Sequence, residues 1–216
     1  MQIIRLIVTL FVLLPLPHSA YSGPPQPLYA GIDNGGIQLE DSAHRGLVSG
    51  NVDSIASARF TRLFFGYNFN NQYALEIGSF RTGKSSSVMT SEWFGPYTET
   101  GYLMDEGIDL SAVWFPLANH HAKHGFFLKA GVHHSHSHDE YSGVSEGLNF
   151  YGNRLGGIEW SGTLKNSGAG HLFGVGYNLS SPNQWFVRFT ATQYMRLSGL
   201  SGRDGTSYVV GVGANF

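Results

Sequence analysis

The stretch His133-His134-Ser135-His136-Ser137-His138-Asp139-Glu140 is the densest run of chemically capable side chains in the sequence. On an extended backbone His134, His136 and His138 share one face, with neighbours two apart separated by about 6.6 Å of strand rise. From that spacing two imidazoles can reach one zinc ion, although no second set of ligands is fixed by the spacing. The competing reading is a solvated polar loop. The same run contains a His-x-Ser pair, His133 and Ser135, in which an imidazole could act as base for a serine nucleophile. Alternation sets that pair on the other face, shared with Lys129. The remaining candidates are charges that stand alone inside apolar segments: Arg62, Glu76, Asp109, Lys129 and Arg188. There is no cysteine, so disulfides and thiolate metal sites play no part.

The segments that carry these charges alternate with period two. Leu63, Phe65 and Tyr67 oppose Arg62, Phe64 and Gly66; Tyr73, Leu75 and Ile77 oppose Ala74, Glu76 and Gly78. Ile108, Leu110, Ala112 and Trp114 alternate with Asp109, Ser111 and Val113, and Phe126, Leu128, Ala130 and Val132 with Phe127, Lys129 and Gly131. Three more such runs lie at 171–177, 185–191 and 207–216, and a first strand falls near Leu28 to Leu39. The total is eight strands, the smallest bacterial membrane barrel. One face is apolar and aromatic; the other holds glycine, hydroxyls and the isolated charges. Lipid does not accept such charges, but a narrow filled lumen does. A soluble lipocalin-like barrel would instead show a polar exterior.

Composition agrees. Charged residues are 13% of the 216 and aromatics 14%, whereas a soluble domain carries about 25% charge. The net charge of -2 argues against a nucleic-acid partner. At the N-terminus, Arg5, the apolar run Leu6 to Leu16 and the small residues flanking Tyr21 read as a signal peptide over 1–22. The apolar run is about half of the ~20 residues a spanning helix needs. A proline-rich leader, 23–27, follows, and the barrel is expected over 28–216. Short connections at 68–71, 116–123 and 180–183 alternate with long ones at 40–56, 84–104, 135–167 and 197–204. That asymmetry puts the long loops outside the cell and both chain ends in the periplasm. Tyr67, Tyr73, Tyr177 and Trp185 would then belong to the periplasmic aromatic girdle.

Gly66-Tyr67-Asn68-Phe69 followed by Gln72-Tyr73-Ala74-Leu75-Glu76-Ile77-Gly78, with Asp109-Leu110-Ser111-Ala112-Val113 and Leu128-Lys129-Ala130-Gly131, resembles the OmpA-like outer-membrane β-barrel family. The resemblance covers the barrel and not its loops, and no periplasmic peptidoglycan-binding domain is expected after it. It implies an all-β, eight-stranded antiparallel up-and-down transmembrane barrel in the outer membrane of a Gram-negative bacterium. It implies that a buried Glu-Lys-Arg cluster plugs the lumen, with Glu76, Lys129 and Arg188 in the corresponding positions. A conducting gate is the alternative. Tyr208, Val210, Val212 and the terminal Phe216 would form the signal read by the barrel-assembly machinery. Lipid A deacylases of similar shape use a His-x-Ser pair at the outer rim, but the pair here faces the lumen side. The expected function is therefore that of a non-enzymatic surface protein with a structural, adhesive or colonisation-related role. A lipid A-modifying enzyme or small-solute channel is the alternative. No cofactor is implied. The expected partners are outer-membrane lipid and lipopolysaccharide, the assembly machinery, and a host-surface or phage ligand reached through the loops.

Overall fold

Alternating sequences of this kind leave each strand one face for lipid and one for an interior, and a sheet with no edge is the arrangement that satisfies both in a membrane. The computed structural model describes residues 27–41, 55–70, 72–91, 97–116, 125–145, 157–181, 184–199 and 203–216. The proposed signal peptide and all of the leader except Pro27 lie outside them. The described strands are β1 (Leu28–Asp41), β2 (Ile55–Asn68), β3 (Tyr73–Thr82), β4 (Ser85–Ser91), β5 (Tyr97–Trp114), β6 (Gly125–Ser145), β7 (Ile158–Ser180), β8 (Trp185–Met195) and β9 (Arg203–Asn215). All pair antiparallel with their neighbours, β1 joins β9, and β3 and β4 both pair with β5. A break at Gly83 and Lys84 separates β3 from β4, so the two are successive parts of one stave. The result is the expected closed eight-stranded barrel.

Every second side chain points outward. The outward rows carry Leu63, Leu75, Leu110, Leu128, Phe173, Val187 and Val210, all exposed. Along β6 the exposed outward residues run Phe126, Leu128, Ala130 and Val132 before the face turns polar at His134. Tyr67, Tyr73, Tyr177 and Trp185 sit exposed at the end with the short turns, beside Trp114 and Phe126, which also belong to that rim.

Three expectations need correction. The long connections at 84–104 and 135–167 are largely strand: β4 and the start of β5 occupy the first, and the ends of β6 and β7 most of the second. Their hairpin pairing continues to Ser145 opposite Ile158. Apolar alternation fades there, as where outward His134 and His136 alternate with buried Ser135 and Ser137, while the backbone ladder continues. The connection expected to project at 197–204 instead begins inside the barrel mouth, where Leu197 and Ser198 are buried. The inward face is also less uniformly polar than expected. One apolar cluster (Ile37, Phe60, Phe80, Leu172, Tyr194, Leu197 and neighbours) fills the outer end, towards which the longest strands extend, and another (Tyr29, Phe64, Val113, Phe115, Phe127, Phe186) the end with the short turns. The charges lie between these two layers.

Candidate functional site

The charged layer is built where six strands, β1, β2, β3, β5, β6 and β8, turn a charged residue inward at one height. Register brings them together: Asp33 of β1 opposes Arg62 of β2 and Gly211 of β9, Gly78 of β3 opposes Asp109 of β5, and Arg188 of β8 also opposes Gly211. Gly78 and Gly211 are required by close approach. A Cβ at Gly78 would meet the Arg62 guanidinium, and one at Gly211 would meet the Asp33 carboxylate.

Arg62 donates Nε and Nη2 to both oxygens of Asp109, at 2.7 and 2.6 Å. Its Nη1 reaches Glu76 Oε2 at 3.1 Å and Asp33 Oδ2 at 3.4 Å. Arg188 makes the matching fork on Asp33, with Nε and Nη2 at 2.9 and 2.7 Å, and donates Nη1 to Glu76 Oε1 at 2.6 Å. Tyr29 donates its hydroxyl to the same Glu76 oxygen at 3.1 Å, and the Arg188 guanidinium lies 3.5 Å above the Phe64 ring. Lys129 approaches Glu76 only to 3.9 Å. Three cations thus meet three carboxylates, all buried. Planar forks on carboxylates are the geometry in which guanidinium is strongest. In a dry interior each unpaired member would be costly, so the cluster is best described as mutually dependent.

All five charges named from the sequence are brought into this one network. The ranking changes: Arg62, not Lys129, is the second organiser beside Arg188. Asp33 was missed, although it bridges both arginines. Its signal was its parity with Tyr29, obscured by the glycines around it. Below the cluster a gap of about 20 Å³, lined by Tyr29, Glu76, Phe127, Phe186 and Arg188 among others, is space for about one water. The cross-section at the cluster is occupied by side chains.

Above the outer apolar layer lies a second network. His133 Nε2–H donates to the Met195 carbonyl at 3.0 Å, which leaves Nδ1 as an acceptor facing Ser135 Oγ at 3.5 Å. Ser135 Oγ accepts the Ser198 backbone N–H at 2.7 Å, and Ser198 Oγ donates to Asp105 at 2.9 Å. The His133–Ser135 pair is therefore buried, faces the lumen and holds the inserted turn 197–199. It does not face lipid, where an acylated substrate would lie. The other three histidines of the 133–140 run, His134, His136 and His138, point outward. The His134 and His136 rings stand 5.0 Å apart and perpendicular, and His138 Nε2 lies 3.3 Å from Glu140. Among the described residues no three His, Asp or Glu side chains converge in a metal-holding group. Of the proposed assembly signal, Tyr208, Val210 and Val212 form an exposed outward row; the Phe216 ring packs 6.1 Å from Phe65, and its N–H donates to the Leu28 carbonyl.

Residues 25–196 match the family described as OmpA-like transmembrane domain. Among solved structures the chain is similar to the attachment invasion locus protein Ail of Yersinia pestis, with 12% identity over 88% of this chain and 99% of that one and a TM-score of 0.51. The same protein in complex with the heparin analogue sucrose octasulfate gives 12% identity, the same coverages and a TM-score of 0.50. The outer membrane protein OprG of Pseudomonas aeruginosa is 13% identical over 90% of this chain and 98% of that one, with a TM-score of 0.44. No curated protein matches the chain by sequence. The match over most of the length, on a closed barrel with an apolar exterior, shows that this chain belongs to the OmpA-like transmembrane domain family and resides in the Gram-negative outer membrane.

Proposed function

We propose that the protein is a non-enzymatic surface protein that mediates attachment, and through it colonisation, by way of the sheet and loops standing outside the membrane. The length of the strands carries this reading. At a tilt near 40° a strand rises about 2.5 Å per residue across the membrane, against an apolar band of about 25 Å. The 21 residues of β6 and 23 of β7 are then each more than twice as long as crossing requires. Barrel closure does not need the excess, because β7 pairs with β8 only from His171 to Ser180. What remains is a raised sheet of β4 to β7. The filled lumen leaves the exterior as the part available to a partner. The solved Ail, named for attachment and invasion and also described with a heparin analogue, shares this fold.

In this reading the exposed partners are a host surface or a phage. Lipopolysaccharide, outer-membrane lipid and the barrel-assembly machinery are the partners of the wall. Export would use the signal peptide over 1–22, and insertion the row ending in Phe216. The test is a deletion strain beside one complemented with a chain lacking residues 137–165. Both should lose attachment to cultured cells while retaining resistance to detergent. Unchanged attachment together with detergent sensitivity would contradict the proposal and favour a purely structural role.

A further inference from the structure

The outward face of β6 changes character abruptly. Four apolar or small residues, Phe126 to Val132, are followed by His134, His136 and His138. Eight to ten residues separate Phe126 from His134 and His136, a rise of about 20 to 25 Å, which places these imidazoles where the hydrocarbon ends and headgroups begin. Pairing adds neighbours on the same face. Glu106 and Ser167 flank His136, Met104 and Lys165 flank His138, and His171 lies beside Val132. Arg81 of β3 opposes Glu106 and reaches the Met104 sulfur at 3.2 Å. Above them Glu140 contacts His138 and Lys84, at 3.3 and 3.5 Å.

Between these rows lies an open hollow of about 290 Å³, lined by Met104, Glu106, His136, His138, Lys165 and Ser167 among others. That is roughly ten times a water's share of liquid volume, room for a tetrahedral anion with part of its hydration. We propose that this hollow seats a phosphate group of an outer-leaflet glycolipid, and that the histidine row makes the seat tighten as the surroundings acidify. Arg81, Lys84 and Lys165 against Glu106 and Glu140 leave one surplus positive charge on the patch. Protonating His134, His136, His138 and His171 adds up to four more. Histidine is the side chain that changes charge between pH 8 and 5. A cation is the poorer occupant, because Lys165 and Arg81 stand in the same patch and no ligand triplet converges.

The inference rests on the lipid contact proposed for the barrel wall and is independent of attachment. Its test uses the full refolded barrel in zwitterionic detergent, titrated with bisphosphorylated lipid A dispersed in that detergent, with dephosphorylated lipid A and sodium phosphate as separate probes. Each charge gained beside an anionic headgroup strengthens binding about fivefold. Affinity for the bisphosphorylated form should therefore rise at least about tenfold from pH 7.5 to 5.5. The quadruple variant His134→Gln/His136→Gln/His138→Gln/His171→Gln should abolish that rise, and the triple variant that keeps His171 should cut it to about fivefold or less. Their retained shift in gel mobility without heating would certify the fold. Dephosphorylated lipid A should bind weakly and without pH dependence, and sodium phosphate should compete only at millimolar concentration. A rise that persists in the quadruple variant overturns the inference. So does one abolished by a chelator and restored by zinc, or equal binding by free phosphate. Failure of both lipid forms to bind would instead sink the underlying lipid contact.

Discussion

Arg62 touches three carboxylates, and two of those contacts form a fork on Asp109. Replacing it with methionine would leave Asp109 unpaired and Glu76 with one arginine fewer in a dry lumen. Removing one partner of a buried ion pair costs about 3–5 kcal/mol. Arg62→Met should therefore lower the unfolding free energy in lipid vesicles by that amount in a urea titration. Lys129→Met should cost about 1 kcal/mol, because its one ion pair is long and the arginines remain on Glu76. Similar losses for the two variants would show that the network is not organised by its forks. Five of the six charges were legible because each stood opposite a clear apolar row. Asp33 was not. The apolar positions of its strand change phase, with Leu28 and Ile32 on one parity and Ile37 and Leu39 on the other. The phase changes because the outer end of the lumen is itself apolar, so a greasy residue no longer identifies the lipid side.

The turn 197–199 tucks into the outer mouth of the barrel. Arg196 and Ser198 adopt positive φ, 57° and 56°, and Gly199 follows at 75°. Non-glycine residues in that region cost of order 1 kcal/mol each and persist where the surroundings hold them. Here Leu197 is held in the apolar cluster and Ser198 by Ser135 and Asp105. Leu197→Ala should destabilise the barrel by about 2–4 kcal/mol. Ser135→Ala, which orphans the Ser198 N–H, should cost about 1–3 kcal/mol. Faster amide exchange confined to the turn would accompany the second; wild-type exchange and stability in both variants would show that the turn is not fastened as described. Nothing in the local sequence announces this insertion, since Leu197 and Leu200 read equally well as loop-tip residues. The extended reach of β5, β6 and β7 was hidden for a different reason: the outward row turns polar at His134, His136 and His138 while Ser135 and Ser137 face inward, so no apolar period is left to display.

At the scale of the molecule, the barrel inverts the usual placement of apolar side chains and then abandons that inversion where β5 to β7 leave the membrane. The inversion was legible on the staves whose inward face is charged or glycine-lined, because lipid on the other side then imposes a period of two; on β1, where the lumen is apolar as well, it was not. The height at which the membrane ends was legible only on β6, where histidine replaces apolar residues. Because the chain has no cysteine, single cysteines can carry nitroxide labels without background. Labels at Leu75, Leu110, Leu128 and Val187, in protein reconstituted into vesicles, should relax faster with oxygen than with a water-soluble nickel chelate. Labels at His138 and Leu164 should show the reverse. Nickel access at the first four positions, or oxygen preference at the last two, would contradict a barrel whose apolar rows meet lipid and whose longest strands stand clear of it.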